Sequence, residues 1–136
     1  MSFNAAMDAA VFGLRAQTKR LRVVAENMAN ADTTASTPGG EPYRRKTISF
    51  KSEIDRATGS EQVTVRKIGR DQSAFSRVFE PGHPGADADG YLLRPNVSTI
   101  VEITDMQEAQ RSYEANLTML TGARSMLQRM IDLLRS

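Results

Sequence analysis

The sequence contains no cysteine, no tryptophan and few aromatic residues of any kind. Without cysteine, the chain forms no disulfide and offers no thiolate to a metal. Aromatic residues are 6% of the 136 residues, so the apolar core depends on aliphatic side chains and seven methionines. Such a core suits helix packing better than a wide, rigid pocket.

The sequence also lacks a strong net charge and a long apolar run. The net charge is +2 and no segment concentrates positive charge, which disfavours nucleic acid as a partner. No run of about 18 apolar residues occurs, so we expect no membrane-spanning helix. In the first twenty residues the basic side chains follow the apolar ones, and we therefore expect no cleaved secretion signal.

Residues 3–28 carry mostly apolar side chains at alternating spacings of four and three. This is the 3.5-residue period of a coiled-coil seam, and no proline interrupts it. The pattern predicts a long helix that Asn27 and Asn30 close through a left-handed turn. The seam positions are Phe3, Met7, Ala10, Leu14, Gln17, Leu21, Val24 and Met28.

Residues 99–134 repeat this rhythm and predict a second long helix, with Thr99 and Glu102 as a capping box at its start. A second apolar line at Ala109, Ala123 and Met130 lets this helix contact more than one neighbour. The seam positions are Ile103, Met106, Gln110, Tyr113, Leu117, Leu120, Arg124, Leu127, Ile131 and Leu134.

Three of the seam positions in the two helices are polar, namely Gln17, Gln110 and Arg124. Polar groups inside a coiled-coil seam lower stability but fix register and partner choice. Alternatively, these positions face solvent where the helix turns out of contact. The sequence leaves both interpretations open.

The middle of the chain predicts strands separated by loops. Alternating apolar residues predict strands at 48–50 and 62–66, with weaker candidates at 75–79 and 90–93. The predicted fold is α+β, with paired, coiled-coil-like N- and C-terminal helices and a small central antiparallel β region with long loops. We expect residues 1–33 and 97–136 to form a helical core and residues 34–96 a small β/loop region.

No group of residues signals catalysis, a cofactor or a metal site, so we expect a protein that is not an enzyme. His83 is the only histidine and is expected in an exposed loop. The acidic stretch 87–90 lacks the later ligands of a calcium loop, and an Asx turn explains it better. The basic stretch 44–46 is either an anion-binding patch or, as we favour, a solvated strand edge.

Two amphipathic helices of this length expose apolar stripes that must be covered. A monomeric helical hairpin is one solution, but the central region is too poor in apolar residues to cover both helices. We therefore expect an assembly subunit. The expected interface residues are Met7, Leu14, Leu21, Val24, Met28, Met106, Tyr113, Leu117, Leu120, Leu127, Ile131 and Leu134.

Segments near both termini resemble one protein family. Residues 24–33, VAENMANADT, are similar to the N-terminal motif of bacterial flagellar rod and hook proteins, although Glu26 stands where asparagine is common. Residues 106–116, MQEAQRSYEAN, resemble the C-terminal motif of that family. The central segments resemble the proximal-rod members of that family. A related rod protein of similar length lacks this central sequence pattern, and the distal-rod and hook proteins are longer. The residues that carry the resemblance are Asn27, Asn30, Thr33, Tyr43, Arg44, Arg45, Gly82, His83, Pro84, Asp89, Gly90, Tyr91, Pro95, Asn96, Arg111, Tyr113 and Asn116.

The resemblance implies a structural subunit of the proximal rod of the flagellar basal body. Such a subunit assembles helically in the periplasm, transmits torque and surrounds the export channel. The implied partners are copies of itself, other proximal and distal rod subunits and the flagellar type III export apparatus, with no cofactor and no cleaved signal. A sibling rod protein and a cytoplasmic coiled-coil adaptor are the alternatives.

Overall fold

The computed structural model describes residues 2–136 and contains two long helices and four strands. Their order is α1 (Phe3–Ala29), β1 (Lys46–Ile54), β2 (Glu61–Arg70), β3 (Ser76–Phe79), β4 (Tyr91–Arg94) and α2 (Thr99–Arg135). Strands β1 and β2 form one two-stranded sheet, and β3 and β4 form another. This architecture confirms the predicted α+β fold. No helix in residues 2–136 has the length and apolar character needed to cross a membrane.

The start of α2 and the end of α1 both differ from the capping that the sequence predicts. At the start of α2 the backbone N–H of Glu102 donates to the carbonyl of Ser98, while the Glu102 carboxylate is buried elsewhere, so the predicted capping box is wrong. At the end of α1, Asn30 donates to the carbonyl of Glu26 at 2.8 Å. Only glycines have a positive φ within residues 2–136, so α1 does not end through a left-handed asparagine. It ends through the Asn30 side chain and through backbone hydrogen bonds from Ala31 to Met28 and from Thr33 to Asn30.

The predicted strands lie inside longer ones. The β1–β2 turn is closed by hydrogen bonds between the backbones of Asp55 and Ser60, at 2.9 Å, and of Gly59 and Asp55, at 2.7 Å. Gly59 has a φ of 71°, which side chains with a Cβ rarely adopt. The β3–β4 pair is antiparallel, with Phe79 opposite Tyr91, and confirms both weaker strand predictions.

The chain forms two compact units, and each takes part of both helices and of both long strands. The first unit contains residues up to Leu21, Ile48–Lys67 and Met106–Ser136. The second contains Arg22–Thr47 and Ile68–Asp105, including β3 and β4. The division into a terminal helical core and a central β/loop region remains a prediction.

In the first unit, α1 and α2 pack antiparallel through small residues. Asn116 lies so close to Gly13 that an added Cβ would be 2.4 Å from its Oδ1, and Arg20 pairs with Glu108 at 3.3 Å. The buried positions of α2 in this unit are Ala109 and Ala123, one residue before the predicted Gln110 and Arg124. The close approach of the helices selects small side chains, so the alanines are buried. The neighbouring Gln110 and Arg124 are exposed. For these two residues the solvent-facing interpretation holds.

Within the described residues of the first unit, no helix lies opposite the last part of α2. Because Gly13 lies beside Asn116 and both helices rise equally per residue, α1 begins opposite about position 126 of α2. Every residue from 128 to 136 is exposed. We call residues 128–135 the α2 end; its exposed apolar side chains are Met130, Ile131, Leu133 and Leu134.

Candidate functional site

Asn27 is the centre of a buried polar cluster in the second unit. Its side chain is 1% exposed, and its amide group bonds both backbone groups of Lys46: Nδ2 donates to the carbonyl at 2.9 Å, and Oδ1 accepts from the N–H at 2.8 Å. Oδ1 also accepts from the Tyr43 hydroxyl at 2.8 Å, and Nδ2 donates to Glu102 Oε2 at 3.3 Å. The amide thus uses two donor and two acceptor positions, which fixes the end of α1 to the start of β1 and of α2.

Arg45 balances the buried charge in this cluster. Its Nε donates to the fully buried Glu102, and its terminal nitrogens reach Asp105 at 3.3 Å and Asp71 at 3.5 Å. Burial alone would lower the pKa of Arg45, but the hydrogen bond and the charge of Glu102, with those of the two aspartates, outweigh it and raise that pKa. One guanidinium therefore holds three carboxylates from two chain segments, and the forked geometry of arginine allows this.

A second layer of contacts supports Arg45. Asn96 accepts the backbone N–H of Arg45 at 2.8 Å and donates to the carbonyls of Asp71 and Ser73. Arg44 donates to the same two carbonyls and lies 4.1 Å from the centre of the Phe75 ring, a cation–π distance. The Ser73 amide and hydroxyl lower the pKa of Asp71, which keeps this carboxylate charged beside Arg45.

The basic stretch 44–46 is therefore engaged inside the chain. Arg44 and Arg45 have the partners described above, and Lys46 Nζ donates to Glu26 at 2.6 Å. The hydrogen bond and charge of Lys46 lower the pKa of Glu26. The expectation of a solvated strand edge is wrong, because all three cationic side chains form hydrogen bonds with other parts of the chain. We name Asn27, Tyr43, Arg45, Lys46 and Glu102 the Asn27 cluster.

The loop between β3 and β4 is ordered by two side chains. His83 Nδ1 accepts the N–H of Gly85 at 2.9 Å, and its Nε2 lies 3.2 Å from the Thr34 hydroxyl. The ring is half-buried, so the expectation of an exposed histidine is wrong. Asp87 Oδ1 accepts the N–H groups of residues 89 and 91, which confirms the Asx turn.

The expected interface residues divide by burial within the single chain. Val24 is buried, whereas the exposed members are Leu117, Ile131 and Leu134. Half-buried positions are Met7, Leu14, Leu21, Met28, Met106, Tyr113, Leu120 and Leu127. Their role in assembly stays a prediction. On α2, the exposed large apolar residues outside that set are Ile100, Val101, Ile103, Met119, Met126, Met130 and Leu133, and on the strands they are Ile54, Ile68, Phe79 and Tyr91.

Comparisons with known proteins identify the family. A family profile described as "Flagella basal body rod protein" matches residues 7–35, and one described as "Flagellar basal body rod FlgEFG protein C-terminal" matches residues 88–133. The chain is 47% identical to the flagellar basal-body rod protein FlgC of Agrobacterium fabrum, over 98% of this chain and 96% of that protein. The chain belongs to the FlgC family. It is similar also to the FlgC proteins of Salmonella typhimurium, with 39% identity over 93% of each chain, and of Bacillus subtilis, with 37% identity over 93% of this chain and 95% of that protein.

FlgC-family membership makes the chain a structural subunit of the flagellar basal-body rod and confirms the resemblance found in the sequence. The matched profiles cover the two terminal motifs, whose helices the structure brings together. Within residues 2–136, no three histidine, aspartate or glutamate side chains gather where they could hold a metal ion.

The motif residues of the resemblance occupy three regions of this FlgC-family chain. Asn27, Tyr43, Arg44, Arg45 and Asn96 meet in or beside the Asn27 cluster. A second group surrounds the β3–β4 loop and consists of Gly82, His83, Pro84, Asp89, Gly90 and Tyr91. The others lie at helix ends or along α2: Asn30, Thr33, Pro95, Arg111, Tyr113 and Asn116. Their functional role stays a prediction.

The family motif in the sequence contains residues of the Asn27 cluster, whereas the distribution of charges along the chain does not indicate it. The charged residues Arg45 and Glu102 are 57 positions apart, and only the fold makes them neighbours. Four residues of the predicted motif, Asn27, Tyr43, Arg45 and Asn96, are direct members or supports of the buried network. The position of Glu102 near the helix start matches a capping box, so the sequence alone does not indicate its buried role.

Proposed function

We propose that this FlgC-family chain is a periplasmic subunit of the proximal rod, where it assembles helically with copies of itself and with other proximal and distal rod subunits. In this assembly it transmits torque and surrounds the export channel. A contact that joins two different patches of identical subunits repeats from copy to copy, and it builds a helical array when the rotation between copies does not close a ring. The function therefore lies in interface geometry and not in catalysis, and it requires no cofactor.

The α2 end is the observation that carries this proposal. Its apolar side chains lie on one side of the helix, within an arc of about 160° at 100° per residue. Leu134 is 86% exposed and Leu133 is 74% exposed. A contiguous apolar face of this kind is typical of a protein–protein contact, because exposing it in the final state costs free energy.

The Asn27 cluster supports the mechanical part of the proposal. A shaft subunit that carries torque must hold its elements at fixed positions. A fully hydrogen-bonded buried network rigidifies the elements it joins, here the end of α1, the start of β1 and the start of α2. We propose that the helical termini, residues 1–33 and 97–136, form the inner part of the tube and that residues 34–96 face outward.

Export through the flagellar type III apparatus without a cleaved signal is part of the proposal. Ala5 and Ala10 are buried in the first unit, so the N-terminal residues belong to the packed protein. Removing them with a signal peptide would take two buried positions out of that unit. The intact mass of the chain purified from basal bodies tests this point, since a loss of ten or more residues would contradict it.

The substitution Leu134→Asp tests the assembly role. Because Leu134 is exposed in the single chain, we expect thermal unfolding of the purified variant to stay unchanged. In the assembled rod it would bury a carboxylate in an apolar contact, at several kcal/mol, and abolish motility. Ser125→Asp, on the polar side of the same helix, is the matched control and should assemble. Motile cells with normal Leu134→Asp content in their basal bodies would contradict the proposal, as would a wild-type chain that stays in the cytoplasm.

A further inference from the structure

A shallow cavity of about 290 Å³ lies in the first unit, between residues of α1, α2 and β2. Its lining includes Gly13, Gln17, Glu61, Asn116 and Met119. Gln17 is half-buried, and its Oε1 lies below the accessible surface with no hydrogen-bond partner in the described part of the chain.

The cavity favours a long cationic side chain. Its volume is at the lower limit for small-molecule sites, so one extended side chain fills it better than a cofactor does. Glu61 contributes a negative charge at its edge and accepts a hydrogen bond from the Ser52 hydroxyl at 2.6 Å. Glu61 therefore presents an acceptor and a negative charge, and arginine supplies donors and positive charge in one planar group.

Arg129 in the α2 end matches these requirements. It is exposed and flanks the apolar side of that helix, next to Met130 and one turn from Leu133. It does not reach the cavity of its own chain, because it lies ten residues, or about 15 Å, beyond Met119 along a straight helix. The occupant must therefore come from another copy.

We infer that Arg129 of one copy binds the cavity of a second copy, with its guanidinium on Glu61 and with Met130 and Leu133 covering the apolar edge. The inference rests on the proposed rod function and specifies one of its contacts. The contact joins two different surface patches, so every copy has one Arg129 and one cavity free for the next neighbour. A chain of such contacts extends from copy to copy, as a rod requires.

A charge swap tests this contact in cells. Glu61→Arg and Arg129→Glu should each lower the amount of the chain in purified basal bodies at least about tenfold, which corresponds to about 1.4 kcal/mol. The double variant restores opposite charges across every contact and should recover most of that loss. Glu53→Arg on β1, outside the cavity, is the matched control and should have little effect. Single variants without effect, or a double variant without recovery, would overturn the inference.

Crosslinking identifies the partner. The chain has no native cysteine, so one copy carrying Met119→Cys, in the cavity lining, and a differently tagged copy carrying Met130→Cys react only at those positions with a short bis-maleimide, while Glu61 and Arg129 stay in place. We expect a product that contains both tags in basal bodies from cells that express both copies. A product between the Met130→Cys copy and a different rod protein, or no product, would refute the second-copy contact. Absence of the wild-type chain from basal bodies would instead refute the proposed rod function.

Discussion

Asn27→Asp exchanges one amide nitrogen for an oxygen at the centre of the Asn27 cluster. The shape of the side chain is unchanged, so packing is not altered directly. The two hydrogen bonds that Nδ2 donates, to the Lys46 carbonyl at 2.9 Å and to Glu102 Oε2 at 3.3 Å, are both lost. The new carboxylate oxygen instead faces two acceptors, one of them on a fully buried carboxylate.

The expected loss in the free energy of unfolding follows from these contacts. Each buried acceptor left without its donor costs about 1–3 kcal/mol, and the proximity of the new carboxylate to Glu102 adds repulsion. We expect the free energy of unfolding to fall by about 3–5 kcal/mol at pH 7, a large part of the 5–15 kcal/mol typical of a domain. Burial beside Glu102 raises the pKa of the new carboxyl group, and once protonated it donates again. The loss should therefore shrink as the pH falls from 7 to 5.

Urea unfolding followed by circular dichroism at both pH values measures this effect. Asn4→Asp makes the same change at an exposed position of α1 and should alter stability by less than about 0.5 kcal/mol. A loss below about 1 kcal/mol for Asn27→Asp at pH 7 would refute the assignment of the cluster as a structural centre. A loss that does not depend on pH would refute the part assigned to the buried Glu102.

Three further predictions concern the second unit. Arg45→Lys keeps the charge but loses the forked contacts with three carboxylates, and urea unfolding should reveal a loss of about 1–3 kcal/mol. Gly85→Ala would place a Cβ 2.2 Å from a backbone oxygen and should lower the melting temperature, whereas Gly82→Ala, where a Cβ meets nothing, should not. The pKa values of Asp71 and Glu26 are lowered by their hydrogen bonds. The stability that these carboxylates contribute above pH 4 should therefore be lost as the pH falls through the lowered pKa values. Unfolding scans from pH 6 to 2 measure this loss, and a constant free energy of unfolding over that range would contradict the prediction.

The helices and strands were predictable because their signals are local. The 3.5-residue period and the absence of proline predicted helices over 3–28 and 99–134, and the structure has Phe3–Ala29 and Thr99–Arg135. The alternation of apolar and polar residues likewise located β1 and β2.

The helix faces were harder to predict, since large apolar residues dominate a periodicity analysis. In α2 the chain uses Ala109, Asn116 and Ala123 where α1 comes close, and neighbouring Leu117 is exposed. Small residues at a close contact carry little hydrophobic signal, so the 3.5-residue period places the seam one position later, at Gln110, Leu117 and Arg124. The exposed Leu117 is then available to a neighbouring subunit.

The buried polar cluster could not be derived from charge patterns. Arg45 lies among three consecutive basic residues, which usually indicates a solvated surface. Its partners Asp71, Glu102 and Asp105 are 26 to 60 residues away, and they meet only after the strands and α2 have packed. Family resemblance did highlight Asn27, Tyr43 and Arg45, but it did not reveal that they contact one another.

A reconstruction of purified basal bodies, with density assigned to this chain, tests most directly whether the α2 end is an assembly surface. We expect Met130, Leu133 and Leu134 to be buried against neighbouring rod subunits, with the helix continuous to residue 135. An α2 end that remains exposed to solvent in the assembled rod, or that folds back onto its own chain, would contradict the account.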